Sequence, residues 1–444
     1  MGLAMTITPQ ANITAQAKNS AQALLDYIDN SPSPWHVVAT TAAMLKANGF
    51  KCLRENEPWQ FKKNGRYFVV RDGASIIAFV LGSAPIAESG FRMVGAHTDS
   101  PGLRIKPKAA QSNDGIAQLG VEVYGGPILA TFTDRDLSLA GRVNVRNGNS
   151  FYTHLIKFNQ SAVRLPNIAI HMNREVNDKG LVLNKQTGLP LIFGLSPNHE
   201  EAYALFTNKI AAQLAIQASD ILTWDLNVYD TQKGSFWGVD EDFIANSQLD
   251  NLASCHAAIS ALTDTRDQTT TAICALFDHE EVGSESATGA GGSYMQDIIQ
   301  RICSATNTDE EGRLRALASS FFISADMAHA FHPNHAGVYE PCHHVRVNQG
   351  PVIKTNVNQR YSTNADTAAR FIQLCERAGI PYQQYAHRSD LGCGSTIGPI
   401  LAAKLGVASV DVGNPMWAMH SVRESAGVAD HLSMIKVLVE HFRS

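Results

Sequence analysis

Two adjacent acids at the end of an apolar strand can divide the labour of a metal-dependent hydrolase, one holding the metal while the other moves a proton. In this 444-residue chain the pair is Glu280-Glu281, within Phe277-Asp278-His279-Glu280-Glu281-Val282-Gly283-Ser284. The run before it, Thr270 to Phe277, is apolar and rich in β-formers, as expected of a buried strand in an α/β sheet. Binding sites in such sheets lie beyond the strand ends. Taken alone, the pair reads equally as a solvated acidic turn, since acids are mostly exposed. A helical zinc motif would need a second histidine at position 283, which is Gly283, so any metal must be gathered from distant segments.

Four other places offer suitable side chains. His97 and Asp99 end a second strand and share a face at i and i+2, so the imidazole can ligate while the carboxylate orients its other nitrogen. Asp326 ends a third strand, Phe321 to Ala325, with His329 just beyond it. Asp250, in Gln248-Leu249-Asp250-Asn251-Leu252, is either a ligand or a helix N-cap. His420, in Trp417-Ala418-Met419-His420-Ser421, taken singly is a hydrogen-bonded core histidine or a ligand. Together, His, Asp, Glu, Asp and His at five element ends suit two zinc ions with nitrogen and oxygen donors. Metals about 3.5–4 Å apart share one carboxylate and a bridging water, which leaves the second glutamate free to act as base.

The elements that must position these residues read as α/β. Helical spacing covers about 10–29 and 33–48, split by Ser31-Pro32-Ser33-Pro34, and strands follow at about 66–71, 75–82 and 91–96. From about 103 to 240 the texture changes to short alternating strands with one helix near 199–217. After about 245 the α/β alternation resumes: helix 251–263, strands 270–277, 320–325 and 407–412, and a closing helix near 429–442. A β-rich insertion interrupting one α/β domain explains this order, with 1–99 and 241–444 forming the discontinuous catalytic domain and 100–240 the insert.

Composition narrows the function. At 44% hydrophobic and 17% charged residues the chain is an ordinary globular protein, and a net charge of −5 without a basic footprint argues against nucleic acid as partner. Seven cysteines with no CxxC pair suit free thiols in a reducing cytosol. Met1 to Lys18 lacks a secretory leader pattern and no run approaches about 18 apolar residues, so a cytoplasmic location without membrane contact is expected. His332, His335, His343 and His344 lie in a loop without acidic partners, Gly289-Ala290-Gly291-Gly292 lacks the rest of a phosphate loop, and Cys393 and Ser395 have no base partner in sequence.

The ordered set His97-x-Asp99, Asp250-Asn251, Glu280-Glu281-Val282-Gly283, Asp326 and Ala418-Met419-His420-Ser421-Val422-Arg423-Glu424 resembles the aspartyl aminopeptidase family of dizinc exopeptidases, nearly end to end. Thr133 to Gly141, Arg164 to His171, Gly350 to Lys354 and Cys393 to Ile400 carry further family-like stretches. The resemblance implies a mixed-sheet zinc exopeptidase domain with helices on both faces, interrupted by a β-rich dimerisation domain. It implies His97 and Asp326 on one zinc, Glu281 and His420 on the other, Asp250 bridging, Asp99 orienting His97, and Glu280 as general base, with Co or Mn able to replace Zn. It further implies that His171 reaches a neighbouring subunit's site to hold substrate, the alternative being a metal ligand, and that His329 and Lys354 contact substrate. Peptides with acidic N-terminal residues are then the expected substrates, and dimers assembling into a dodecamer the expected form. A same-fold hydrolase of broader peptide or deacylase specificity, or a non-catalytic scaffold, are the competing readings.

Overall fold

The computed structural model describes residues 13–444. The start of the first expected helix, near residue 10, and most of the segment read for a leader fall outside the described residues. Within them the chain builds three sheets.

The largest sheet has nine strands in the order Lys51–Leu53, Arg66–Arg71, Ser75–Val80, Thr271–Phe277, Phe91–His97, Phe321–Ala325, Ala408–Gly413, Val352–Thr355 and Gln383–Ala386. Its four middle members, from Thr271–Phe277 to Ala408–Gly413, run parallel, and antiparallel strands flank them, so the sheet is mixed. Continuous apolar strands result from burial on both faces. Ala272, Cys274 and Leu276 point into one core with the helices Ala15–Asp29, Leu249–Asp264 and Val428–Arg443. Ile273, Ala275 and Phe277 point into the other, against Tyr294–Ala305, Glu310–Ala318 and Ile397–Leu405. Each large side chain so buried contributes about 1.5–3 kcal/mol.

The second sheet is antiparallel, with six strands in the order Ser150–Lys157, Leu137–Asn147, Ile221–Asp230, Gly102–Asn113, Ile116–Tyr124 and Leu191–Leu195. Its own core, including Leu103, Leu119, Leu139 and Val143, packs on Phe206 and Ile210 of the helix His199–Leu214. That helix starts at Asn198, whose side chain accepts from the Glu201 N–H, an N-cap of the usual kind.

The third sheet aligns Ser235–Trp237, Phe243–Asn246, Glu424–Gly427, Pro415–Trp417 and Ala328–His329. It receives the chain as it leaves two of the central parallel strands: Phe321–Ala325 passes through Asp326 into Ala328–His329, and Ala408–Gly413 passes into Pro415–Trp417. The loop carrying His420 hangs between its last two antiparallel strands.

Packing is tightest where these two strands part. A Cβ placed on Gly413 would lie 1.7 Å from the Asp326 carbonyl oxygen, so only glycine lets the backbones approach. Gly413→Ala is therefore expected to cost at least the roughly 1–3 kcal/mol of an overpacked site and to displace Asp326. Thermal unfolding indistinguishable from wild type would contradict this.

Candidate metal centre

Each carboxyl end of the central strands delivers a polar side chain to one place. His97 is the last residue of its strand, Asp326 follows another directly, and Glu280-Glu281 lie in a 3-10 turn three residues past Phe277. That turn is closed by left-handed backbone at His279 and Gly283 (φ 64° and 100°), a conformation glycine adopts without penalty. The glutamates are not a solvated turn: the Glu281 side chain is 6% exposed.

Asp250 sits at the centre. Its helix begins at Gln248, which makes no side-chain cap, and Asp250 itself has φ −83° and ψ 106°, outside helical geometry. The capping alternative therefore fails, because the carboxylate points to the cluster. Its Oδ1 lies 3.4 Å from His97 Nε2, which is also 3.5 Å from Asp326 Oδ1. Its Oδ2 lies 3.3 Å from His420 Nε2, which is 3.5 Å from Glu281 Oε2. One carboxylate thus faces two imidazole–carboxylate pairs, one with each oxygen.

Asp99 is fully buried behind them. Its Oδ1 accepts from the Glu280 N–H at 3.1 Å, and its Oδ2 from the Glu281 N–H at 3.1 Å and the Tyr124 hydroxyl at 2.8 Å. Toward His97 it offers Oδ1 at 3.4 Å and its carbonyl oxygen, which pairs with Nδ1 at 3.0 Å. Asp99 therefore touches both the His97 ring and the turn bearing both glutamates.

The electrostatics favour a cation. Among the described residues, the only lysine or arginine paired with these carboxylates is Lys354, Nζ 3.4 Å from Asp326 Oδ2. Burial, reinforced by the charges of Asp326, Asp99 and Asp250, pushes the Glu280 carboxyl up to about 8 against the opposing pull of His97. Glu281 is raised well above its ordinary range by burial and by Asp250. Burial opposes a charged His97, yet the nearby carboxylates of Asp250, Asp326 and Asp99 outweigh it and raise its pKa well above the usual. Asp250 Oδ1 is buried without a hydrogen-bond partner, an orphan of the kind a missing ion explains. His97, Asp250 and Glu281 offer ligand atoms all within 4.8 Å of one another, a grouping that crosses between the two pairs because Asp250 belongs to both. Imidazole and carboxylate donors of this number fit zinc.

Lys354 is no surface lysine: it is 2% exposed and also donates to the Met327 carbonyl at 3.1 Å. His329 stands near it, its ring centroid 6.0 Å from Tyr385 and 6.4 Å from His387. Burial and the Lys354 charge lower its pKa to about 4, which keeps it neutral. His171 is not brought to this cluster within one chain; it lies in an exposed turn beside Ile170 and Met172, which are 48% and 79% exposed. Two residues escaped the sequence reading. Tyr124 comes from the second sheet to Asp99, and Glu424 accepts from the N–H groups of both Asp250 and His420.

Histidines and carboxylates collected past the ends of parallel strands, around a carboxylate shared by two pairs, define a metal-dependent hydrolase. The model of the family Aminopeptidase I zinc metalloprotease (M18) matches residues 27–442. The chain is 46% identical over 426 residues to a probable M18 family aminopeptidase 2 of Stutzerimonas stutzeri, covering 95% of this chain and 98% of that one. A solved structure of the Ape4 and Nbr1 complex matches with a TM-score of 0.92 and 37% identity, over 98% of this chain and 87% of that one. The S. cerevisiae mApe1 dodecamer matches with a TM-score of 0.85 and 26% identity, over 96% and 97%. This chain belongs to the M18 family: it is a zinc metallo-aminopeptidase, as the motif resemblance implied.

Proposed function

We propose that the protein removes acidic residues from the N-termini of peptides, using two zinc ions per subunit. The observation that carries this reading is Asp250, whose two oxygens face His97 with Asp326 on one side and His420 with Glu281 on the other. His97 and Asp326 would hold one ion, Glu281 and His420 the other, and Asp250 both, with Co or Mn as substitutes since the same donors accept them. Bound there, zinc supplies a Lewis acid for the scissile carbonyl and an acidified water. Glu280 takes the proton from the attacking water and returns it to the leaving amine, a task suited to a carboxylate that stands beside the cluster without being one of its ligands. Asp99 holds Glu280 in place through its backbone N–H and keeps the His97 ring oriented. The substrate's free α-amine would bind near the second ion and the carboxylates around it, which limits cleavage to the first bond.

Lys354, buried beside Asp326, and the half-buried His329 supply polar groups for the first side chain of the substrate, and a lysine there suits a carboxylate. A broader specificity has support as well, because the Lys354 ammonium is already engaged by Asp326 and the Met327 carbonyl. A panel of aminoacyl-nitroanilides decides. Asp and Glu substrates are expected to give the highest kcat/KM, and Lys354→Met to narrow their lead by about tenfold or more; neutral substrates that match them would leave only the broader reading.

The exposed turn of Pro166 to Met172 leaves His171 free to enter a neighbouring subunit's site and contact substrate. The second sheet, with Phe151, Tyr152 and Leu155 exposed on its edge strand, would serve as the dimerisation domain. Assembly into a dodecamer is supported by the likeness to mApe1. The seven cysteines, none in a disulfide, suit the cytoplasm.

A further inference from the structure

Glu424 opens the strand Glu424–Gly427 and is 2% exposed, yet it faces no lysine or arginine among the described residues. Its two oxygens go to different places. Oε1 accepts from the His420 N–H at 2.6 Å and Oε2 from the Asp250 N–H at 3.0 Å. The two segments are remote in sequence, and the side chains they carry meet at 3.3 Å, His420 Nε2 to Asp250 Oδ2.

Neither segment would hold that geometry by itself. Asp250 lies in the first turn of its helix, where backbone N–H groups have no intrahelical partner, and its dihedrals are not helical. His420 and Ala418 both adopt left-handed backbone, φ 70° and 55°, which non-glycine residues enter only when their surroundings over-determine it. The Ser100 hydroxyl adds a bond to the Asp250 carbonyl at 2.6 Å, and the His420 loop is held by the Ile128 N–H on the His420 carbonyl at 2.9 Å and by the Gly126 carbonyl at Nδ1, but among the described residues only the Glu424 carboxylate bonds the backbones of both Asp250 and His420.

We propose that Glu424 is a positioning residue for catalysis: by holding both N–H groups on one carboxylate it sets the Asp250–His420 spacing, and with it the affinity of the second metal subsite. This rests on the two-ion reading above. The first subsite gains its spacing elsewhere, from the parallel strands that carry His97 and Asp326. Asp250 serves both subsites but keeps the Ser100 bond on its carbonyl, so loss of Glu424 should fall mainly on the subsite that contains His420.

Glu424→Gln keeps the shape but puts an amide NH2 where one oxygen accepted an N–H, so a hydrogen bond becomes a donor–donor contact. Titration of the zinc-loaded variant against a chromophoric chelator is expected to show one equivalent held as in wild type and the other weakened about 10–100-fold, the loss typical of an outer-shell partner. Cobalt reloading should show one site filling normally and the other late, and excess zinc should restore much of kcat. Two equivalents at wild-type affinity, or equal weakening of both as general destabilisation would give, overturns the idea. Glu424→Asp keeps the charge and withdraws it by one methylene. It is expected to show the same asymmetry more mildly, and equal sites there count against the idea even where the Gln variant does not fold. Wild-type protein that binds a single zinc overturns the two-ion reading and this inference together. Wild type with two ions and an unaltered variant overturns this inference alone.

Discussion

Glu280→Gln is expected to lower kcat by about 10²–10⁴, the usual worth of a general base, which corresponds to roughly 3–5.5 kcal/mol of transition-state stabilisation. Zinc content should stay the same, because the Glu280 side chain forms no ion pair within the cluster and its backbone N–H, bound to Asp99, is untouched by the change. The amide preserves volume and removes only the ability to carry a proton. Metal analysis and steady-state kinetics on one preparation separate the two effects. Unchanged turnover removes Glu280 from the chemistry, whereas turnover lost together with zinc would make it a ligand.

Asp250→Asn should show the opposite pattern and the larger effect. The substitution keeps the shape while removing the charge that faces both His97 and His420. Both subsites then lose their common anion, so zinc affinity should fall by more than the roughly 10–100-fold caused by loss of an outer-shell partner, and activity should fall to background. Addition of zinc to millimolar levels is not expected to restore wild-type kcat. An Asn variant retaining two ions at wild-type affinity would show that Asp250 is not shared.

Six of the nine strands of the central sheet were legible because burial on both faces forces near-continuous apolar runs, whereas Lys51–Leu53, Val352–Thr355 and Gln383–Ala386 were not assigned. Arg66–Arg71 and Thr271–Phe277 fall within a residue of where the pattern put them. The helices Tyr294–Ala305, Glu310–Ala318, Ala365–Ala378 and Ile397–Leu405 were not assigned, although the third carries a capping box, Asn364 with Thr367, and a left-handed Gly379 at its end. The fourth is apolar around most of its surface and contains Pro399, which masks helical periodicity. Residues that act with their side chains at strand ends, such as His97 and Asp326, announce themselves by position. Glu424 does not, because it works on backbone N–H groups, and the motif that contains it gave it no role. Tyr124 is silent because its partner, Asp99, lies in the loop that follows a strand of a different sheet. His171 was legible as a motif, yet one chain gives it no neighbour in the cluster.

The Tyr124 hydroxyl carries a further consequence. Asp99 is held from one side by a strand of the second sheet and from the other by the backbone of Glu280 and Glu281. The second sheet is thereby linked to the turn that bears Glu280 and Glu281. A displacement of that sheet would reach the site at two points, through the Tyr124 phenol on Asp99 and, just past the same strand, through the Ile128 N–H on the His420 carbonyl.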